Sequence, residues 1–163
     1  MAKVLFINQE RCNGCGLCQA LCSIKQKSAC QPSQGLIRVQ QHRRFLMGFT
    51  LTCRQCAEPA CQAACLMECI SREPMTGLVI RNLSKCLGCG ACMVACPFDI
   101  PVLDPEREVF LTCNYCDGDP VCLKACPRQA ISWEELSQIS RDKRQARAAQ
   151  SWLAGREEVP RCD

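Results

Sequence analysis

Sixteen of the nineteen cysteines in this 163-residue chain fall into four quartets. They are Cys12, Cys15, Cys18 and Cys22; Cys53, Cys56, Cys61 and Cys65; Cys86, Cys89, Cys92 and Cys96; and Cys113, Cys116, Cys122 and Cys126. Thiolates are soft anionic donors, and four at short spacing suit iron–sulfur cubanes or zinc. The first and third quartets are spaced by two, two and three residues. The second and fourth lengthen the middle gap to four and five. Three cysteines two residues apart let a tight loop wrap one side of a cube. Gly14, Gly16, Gly88 and Gly90 lie in two of these loops. Glycine there permits positive φ and close backbone approach, which lets loop N–H groups point at cluster sulfurs.

The C-x2-C-x2-C-x3-C spacing is the run by which bacterial ferredoxins hold 4Fe–4S clusters, and its fourth cysteine usually ligates the other cluster of a pair. Two copies and two variants imply four 4Fe–4S clusters. The competing reading is a zinc-binding structural module, since the variant quartets alone could hold zinc. Zinc sites, however, pair knuckles across longer loops and often recruit histidine, and the only histidine, His42, lies in no quartet. Pro97 and Pro127 follow Cys96 and Cys126, as the ferredoxin run expects, whereas Ser23 and Leu66 follow Cys22 and Cys65. Of the remaining cysteines, Cys30 and Cys69 read as small buried side chains and Cys162 as an exposed thiol.

Composition agrees with a metal-built interior. The apolar fraction of 48% counts cysteine, and without it falls to about 36%. Bound metal must then supply much of the folding free energy. The formal charge of +4 also treats cysteine as neutral. Four oxidised clusters with four thiolates each would carry the holo-protein to roughly −4, which removes the argument for nucleic acid. There is no G-x-G-x-x-G or phosphate-binding loop, and one histidine gives no credible Ser–His–acid set. With all sixteen quartet thiolates engaged, no centre need present an open iron, so the chain is expected to carry electrons and not to be an enzyme on its own. The expected setting is a reducing cytoplasm: Met1 to Arg11 has no apolar leader segment, and no stretch is long enough to span a membrane.

Short elements must position these cysteines. Apolar or branched runs at Val4–Ile7, Leu36–Val39, Phe45–Leu51, Leu78–Ile80 and Val109–Leu111 predict strands. Asp104-Pro105-Glu106-Arg107 predicts a turn. Ala91–Ala95 and Val121–Ala125 predict helical turns that carry the fourth cysteine of their quartets. The fold class is α+β: two interleaved two-cluster modules of short hairpins and short helices, plus a helical tail. In the tail, Ser132-Trp133-Glu134-Glu135 reads as a capping box that opens a helix running to about Ala154. Its basic run, Arg141 to Arg147, reads as a solvated face or a docking element.

On these motifs the region from Val4 to about Ile131 resembles the four-cluster ferredoxin-like electron-transfer subunits. These accompany molybdenum and tungsten oxidoreductases, carbon monoxide dehydrogenases and some hydrogenases. Cys12-Asn13-Gly14-Cys15-Gly16-Leu17-Cys18, with Gln31-Pro32-Ser33 and Leu36-Ile37-Arg38-Val39, looks closest to the small subunit of a tungsten aldehyde oxidoreductase. The resemblance implies a crossed pairing. Cys12, Cys15, Cys18 and Cys126 would hold cluster 1; Cys22, Cys113, Cys116 and Cys122 cluster 2. Cys53, Cys56, Cys61 and Cys96 would hold cluster 3; Cys65, Cys86, Cys89 and Cys92 cluster 4. Spacing alone leaves local pairing of quartets three and four open. The implied layout is a four-cluster domain, 1–131, with an outer module of about 1–44 and 98–131, an inner module of about 45–97, and a tail of 132–163. The implied partners are a large catalytic oxidoreductase subunit and a second redox subunit or carrier, in anaerobic metabolism. Head-to-tail stacking of copies and a free-standing polyferredoxin are the alternatives, together with service to carbon monoxide dehydrogenase, hydrogenase or formate dehydrogenase.

Overall fold

The computed structural model describes residues 3–42, 47–135, 137–139, 141 and 144–145. Within them the fold is α+β and built from small pieces. Strand β1 (Lys3–Ile7) pairs antiparallel with β8 (Ile131–Glu135), in register from Lys3 opposite Glu135 to Ile7 opposite Ile131. Three hairpins lie between: β2 (Arg38–His42) with β3 (Met47–Leu51), β4 (Ile70–Arg72) with β5 (Val79–Arg81), and β6 (Val102–Asp104) with β7 (Val109–Leu111). Helix α1 (Leu17–Lys27) packs on α4 (Val121–Ala125), and α2 (Ala60–Ala63) packs on α3 (Ala91–Val94). The elements therefore pair from the outside inwards.

Two cores result, and cysteine is integral to both. One buries Leu5, Leu36, Ile37, Val102, Tyr115 and Ile131 together with Cys18, Cys22, Cys113 and Cys122. The other buries Ile70, Val79 and Phe110 with Cys69 and Cys92. Apolar side chains alone would leave each core open at the thiols.

Helix α1 is the longest described element. Left-handed residues bound it, Gly16 (φ 76°) and Ser28 (φ 56°), and the Ser28 N–H donates to Ile24 O at 2.8 Å. Cys18 and Cys22, one turn apart, share its buried face. The helix continues past Cys22, which explains the absent proline there. Ser23 is fully buried, donates Oγ to Ala20 O at 2.7 Å and accepts the Gln31 N–H at 3.0 Å. Proline at 23 would clash inside the helix and remove its hydrogen bond. The other three quartets end in a turn instead. Glu68, Asp99 and Gln129 each adopt left-handed φ, and each N–H returns to the carbonyl of the preceding Cys65, Cys96 or Cys126 at 3.1 Å.

At the C-terminal end of α1, Lys27 Nζ lies 2.5 Å from Asp104 Oδ1 and 3.0 Å from Glu106 Oε2. Asp104 is wholly buried and also accepts the Glu106 and Arg107 N–H groups, closing the expected turn between β6 and β7. Burial opposes its ionisation, but Lys27 and the two N–H groups outweigh this and hold its carboxyl below the usual range.

Several expectations require correction. Ser132 does not cap a helix: it lies within β8, opposite Phe6, and Trp133 there meets Tyr115 edge-on at 5.0 Å between ring centroids. The tertiary partner β1 overrides the local capping signal, so the pairing extends beyond 131. Residues 137–139, 141 and 144–145 are helical, while the remainder of the predicted tail helix, with Cys162, lies outside the described residues. The boundary drawn at 44/45 cuts the β2–β3 hairpin, and β3 belongs with β2. The strand expected at 36–39 lies at 38–42, because Leu36 and Ile37 are core residues preceding it. Strands β4 and β6 carried no sequence signal. Helices α3 and α4 carry the third cysteines, Cys92 and Cys122, and not the fourth; Cys126 caps α4 and Cys96 follows α3. Cys30 is exposed, whereas Cys69 is buried as expected.

Candidate metal centres

Four neighbourhoods of thiols emerge. In the first, Cys12 and Cys15 occupy the loop between β1 and α1, Cys18 lies in the first turn of α1, and Cys126 caps α4. All four line one cavity, with Ile7, Val39, Thr50 and Pro127 among its walls. Burial pushes the Cys18 thiol up to about 11, and Cys12, Cys15 and Cys126 add like-charge repulsion against a hydrogen bond from the Gln19 backbone. Thr50 Oγ1 stands 3.2 Å from Cys12 Sγ. The loop is seated by close backbone contact: a Cβ on Gly48 of β3 would fall 2.3 Å from Gly14 Cα.

In the second, Cys22 of α1 and Cys122 of α4 face Cys113 and Cys116. Burial pushes Cys122 up to about 12, with repulsion from Cys113, Cys22, Cys116 and Cys18 in that order. Cys113 is likewise pushed up to about 12 by burial, opposed by the Thr52 hydroxyl and the Tyr115 N–H, and repelled by Cys22 and Cys53. In the third, burial pushes Cys53 up to about 11, with Cys61 and Cys56 adding repulsion. The Cys61 thiol is raised by burial, lowered by Arg81, and raised again by Cys96 and Cys92. In the fourth, Cys65 and Cys86 lie against Cys69 and Cys92. Cys65 Sγ is 3.2 Å from Cys69 Sγ, and the Cys69 thiol is pushed up to about 12 by burial and by Cys65 and Cys86. Cys89 is exposed at the rim.

These neighbourhoods adjoin in series. Cys18 and Cys22 on α1 link the first to the second, Cys113 and Cys53 link the second to the third, and Cys61 and Cys92 link the third to the fourth. The central junction is braced by buried Gln55. Its Nε2 donates to Cys113 O at 2.6 Å, and its Oε1 accepts the Val79 N–H at 2.6 Å.

The donor set fits iron–sulfur groups. It is wholly thiol, and backbone N–H groups of Leu36, Tyr115 and Ala130 already point at the sulfurs of Cys22, Cys113 and Cys126 at 3.3, 3.4 and 3.3 Å. Arg81 Nη2, beside Cys92, is buried with no partner and so lacks an acceptor. Among the described residues no three His, Cys, Asp or Glu side chains converge where a single metal ion would sit. Gly14, Gly16, Gly88 and Gly90 all adopt positive φ, between 66° and 79°. Sequence reading missed their counterparts. Gln55 and Tyr115 precede the second cysteine of their quartets, as Gly14 and Gly88 do, and hold φ of 50° and 58° without glycine. Only the alignment of the quartets by their first two cysteines could have revealed that equivalence.

A fold of short hairpins and helices around cysteine quartets defines an iron–sulfur protein of ferredoxin-like type. The family model described as the 4Fe–4S dicluster domain matches residues 44–136, and the chain belongs to that family. It holds 4Fe–4S clusters. The polyferredoxin-like subunit of an aliphatic sulfonate oxidoreductase from Pyrococcus furiosus is 33% identical over 124 residues, 75% of this chain and 70% of that protein. The thiosulfate reductase electron transfer subunit PhsB of Salmonella typhi is 28% identical over 152 residues, 83% of this chain and 77% of the relative. Among solved structures, the BamBC active-site complex of benzoyl-coenzyme A reductase has a TM-score of 0.46 at 21% identity, covering 97% of this chain and 98% of that one.

Proposed function

We propose that the chain is an electron-transfer subunit of an oxidoreductase complex, carrying single electrons through four 4Fe–4S clusters between a catalytic subunit and a second redox partner. The observation that carries this is the unbroken series of thiol neighbourhoods joined at Cys18/Cys22, Cys113/Cys53 and Cys61/Cys92. The relatives named as electron-transfer or polyferredoxin-like subunits of oxidoreductases support the partner class. A tungsten or molybdenum enzyme, with an aldehyde or related substrate, is the catalytic partner we assign. The chain itself is non-catalytic.

The ligand set follows the crossed pairing: Cys12, Cys15, Cys18 and Cys126; Cys22, Cys113, Cys116 and Cys122; Cys53, Cys56, Cys61 and Cys96; Cys65, Cys86, Cys89 and Cys92. The repulsions of Cys126 on Cys18, of Cys22 with Cys122, and of Cys96 on Cys61 support it. Bound there, a 4Fe–4S cluster supplies reversible one-electron chemistry. The residues of the chain supply spacing, dryness and charge. Helix α1 holds two adjacent centres at fixed separation by giving Cys18 to one and Cys22 to the next. Tyr115, Ile37 and Leu36 share the buried core of Cys18, Cys22, Cys113 and Cys122 and keep water from it. The N–H groups on Cys22, Cys113 and Cys126 stabilise sulfur that gains charge on reduction.

Anaerobically purified protein should contain about sixteen iron atoms and as many acid-labile sulfides. In the Cys126→Ser variant, the electron paramagnetic resonance signal of one cluster should change, and it should be the same cluster altered by Cys12→Ser. If Cys126→Ser instead perturbs the cluster altered by Cys86→Ser, the crossed pairing is wrong. A colourless, sulfide-free zinc protein would overturn the function itself.

A further inference from the structure

The guanidinium of Arg81 lies near thiols of both inner quartets and pairs with no carboxylate among the described residues. Arg81 ends β5, whose start is held by the Gln55 bond to Val79. Its Nε donates to Thr112 Oγ1 at 2.9 Å, which fixes the plane of the group. Its Nη1 reaches Cys92 Sγ at 3.5 Å, and its Nη2 is buried and unpartnered. Cys53 and Cys61 of the other inner quartet also lie within electrostatic reach of the guanidinium. None of the ion pairs among the described residues involves Arg81. Lys27, near the outer helices, is by contrast neutralised by Asp104 and Glu106.

We propose that Arg81 is a positioning charge that raises the reduction potential of the two inner clusters above that of the outer two, making the inner pair the resting place of an electron. This rests on the assignment of Cys53, Cys61 and Cys92 as ligands. The physical reason is short. Arginine stays protonated at any working pH. A fixed positive charge in a partly buried site favours the more negative, reduced form of a nearby group, and water screens it little there. The bare Nη2 donor also matches an acceptor supplied by a bound cluster, for the thiol set beside it offers too few. The two inner clusters are the third and fourth of the series, so an electron entering at the first would run along the series and settle at its far end.

The test is a potentiometric titration of the intact holo-protein, followed by electron paramagnetic resonance. Arg81→Gln keeps a donor for Thr112 but removes the charge. It should lower the reduction equilibrium of two clusters at least about tenfold, some 59 mV each, and leave the other two unmoved. Arg81→Lys should restore most of the shift. Iron and sulfide counts on the wild-type protein test the four-cluster assignment separately, so failure of that reading is distinguishable from failure of this one. Unmoved potentials in Arg81→Gln, or an equal shift of all four clusters, would overturn the proposal. If Arg81→Gln and Arg81→Met both lose iron but Arg81→Lys keeps iron and potentials, the charge remains the agent. If Arg81→Lys loses iron as well, Arg81 is a packing group and the proposal fails.

Discussion

At the residue scale the backbone around the cysteines matters as much as the thiols. Gly88 has φ 66°, and a Cβ added there would lie 2.2 Å from Glu108 O, which is backbone and has little freedom to retreat. Gly16 has φ 76° but no atom within 4 Å of an added Cβ. Both substitutions strain the dihedral, by about 1 kcal/mol or more, and only Gly88→Ala adds a steric clash. Gly88→Ala should therefore lower thermal stability and iron content well beyond Gly16→Ala, measured by iron assay and by heating under anaerobic conditions. Equal losses in the two variants would show that conformation and not close approach is the constraint. Gln55 and Tyr115 show that left-handed φ does not require glycine when other contacts compensate. Gln55 makes two hydrogen bonds of 2.6 Å across a junction, and Tyr115 is buried against Trp133. Their polar or aromatic character concealed the equivalence to Gly14 and Gly88.

At the scale of elements, the described part of the chain is closed by β8. It supplies the only strand partner of β1 among the described residues, and through Trp133 it covers Tyr115 in the turn that carries Cys116. Trp133→Ala should cost about 2 kcal/mol, less than a fully buried tryptophan because Trp133 is only half-buried. The loss should fall first on the centre assigned to Cys22, Cys113, Cys116 and Cys122, read as weakening of one resonance signal before the others on warming. Uniform weakening would argue against a local role. The strand was invisible as such because Ser-Trp-Glu-Glu satisfies a capping pattern locally. Only a partner 124 or more residues away, at Lys3–Ile7, decides between the two conformations. β4 and β6 escaped notice because polar residues interrupt their apolar runs, Ile70-Ser71-Arg72 and Val102-Leu103-Asp104, whereas β5 and β7, equally short, fall on the continuous runs Leu78-Val79-Ile80 and Val109-Phe110-Leu111.

At the scale of the whole molecule, cysteines join two modest apolar clusters into one body, so folding and metal loading should be a single process. Chelation and removal of sulfide should abolish the circular dichroism of the fold together with the visible absorption, in one transition. Retention of native dichroism after complete iron loss would show that the apolar clusters suffice alone. On the proposed ligand assignment four centres would fit a chain of this length because α1 would serve two of them, and quartets two and three are inserted in the sequence between quartets one and four. No described helix is long and apolar enough to cross a membrane.

The sequence by itself determined the chemistry. Cysteine spacing specified thiolate ligation of 4Fe–4S clusters, glycines within two of the loops specified left-handed backbone, and the absence of other machinery pointed to electron carriage. The α+β class and several short strands followed from local pattern, because alternation and turn residues are local properties. Tertiary structure alone decided which quartets become neighbours, that Ile131–Glu135 is a strand, and that Arg81 stands near thiols of two quartets. The reason is physical: proximity of residues such as Cys18 and Cys126, or Arg81 and Cys61, depends on how hairpins and helices pack, and no local spacing encodes it.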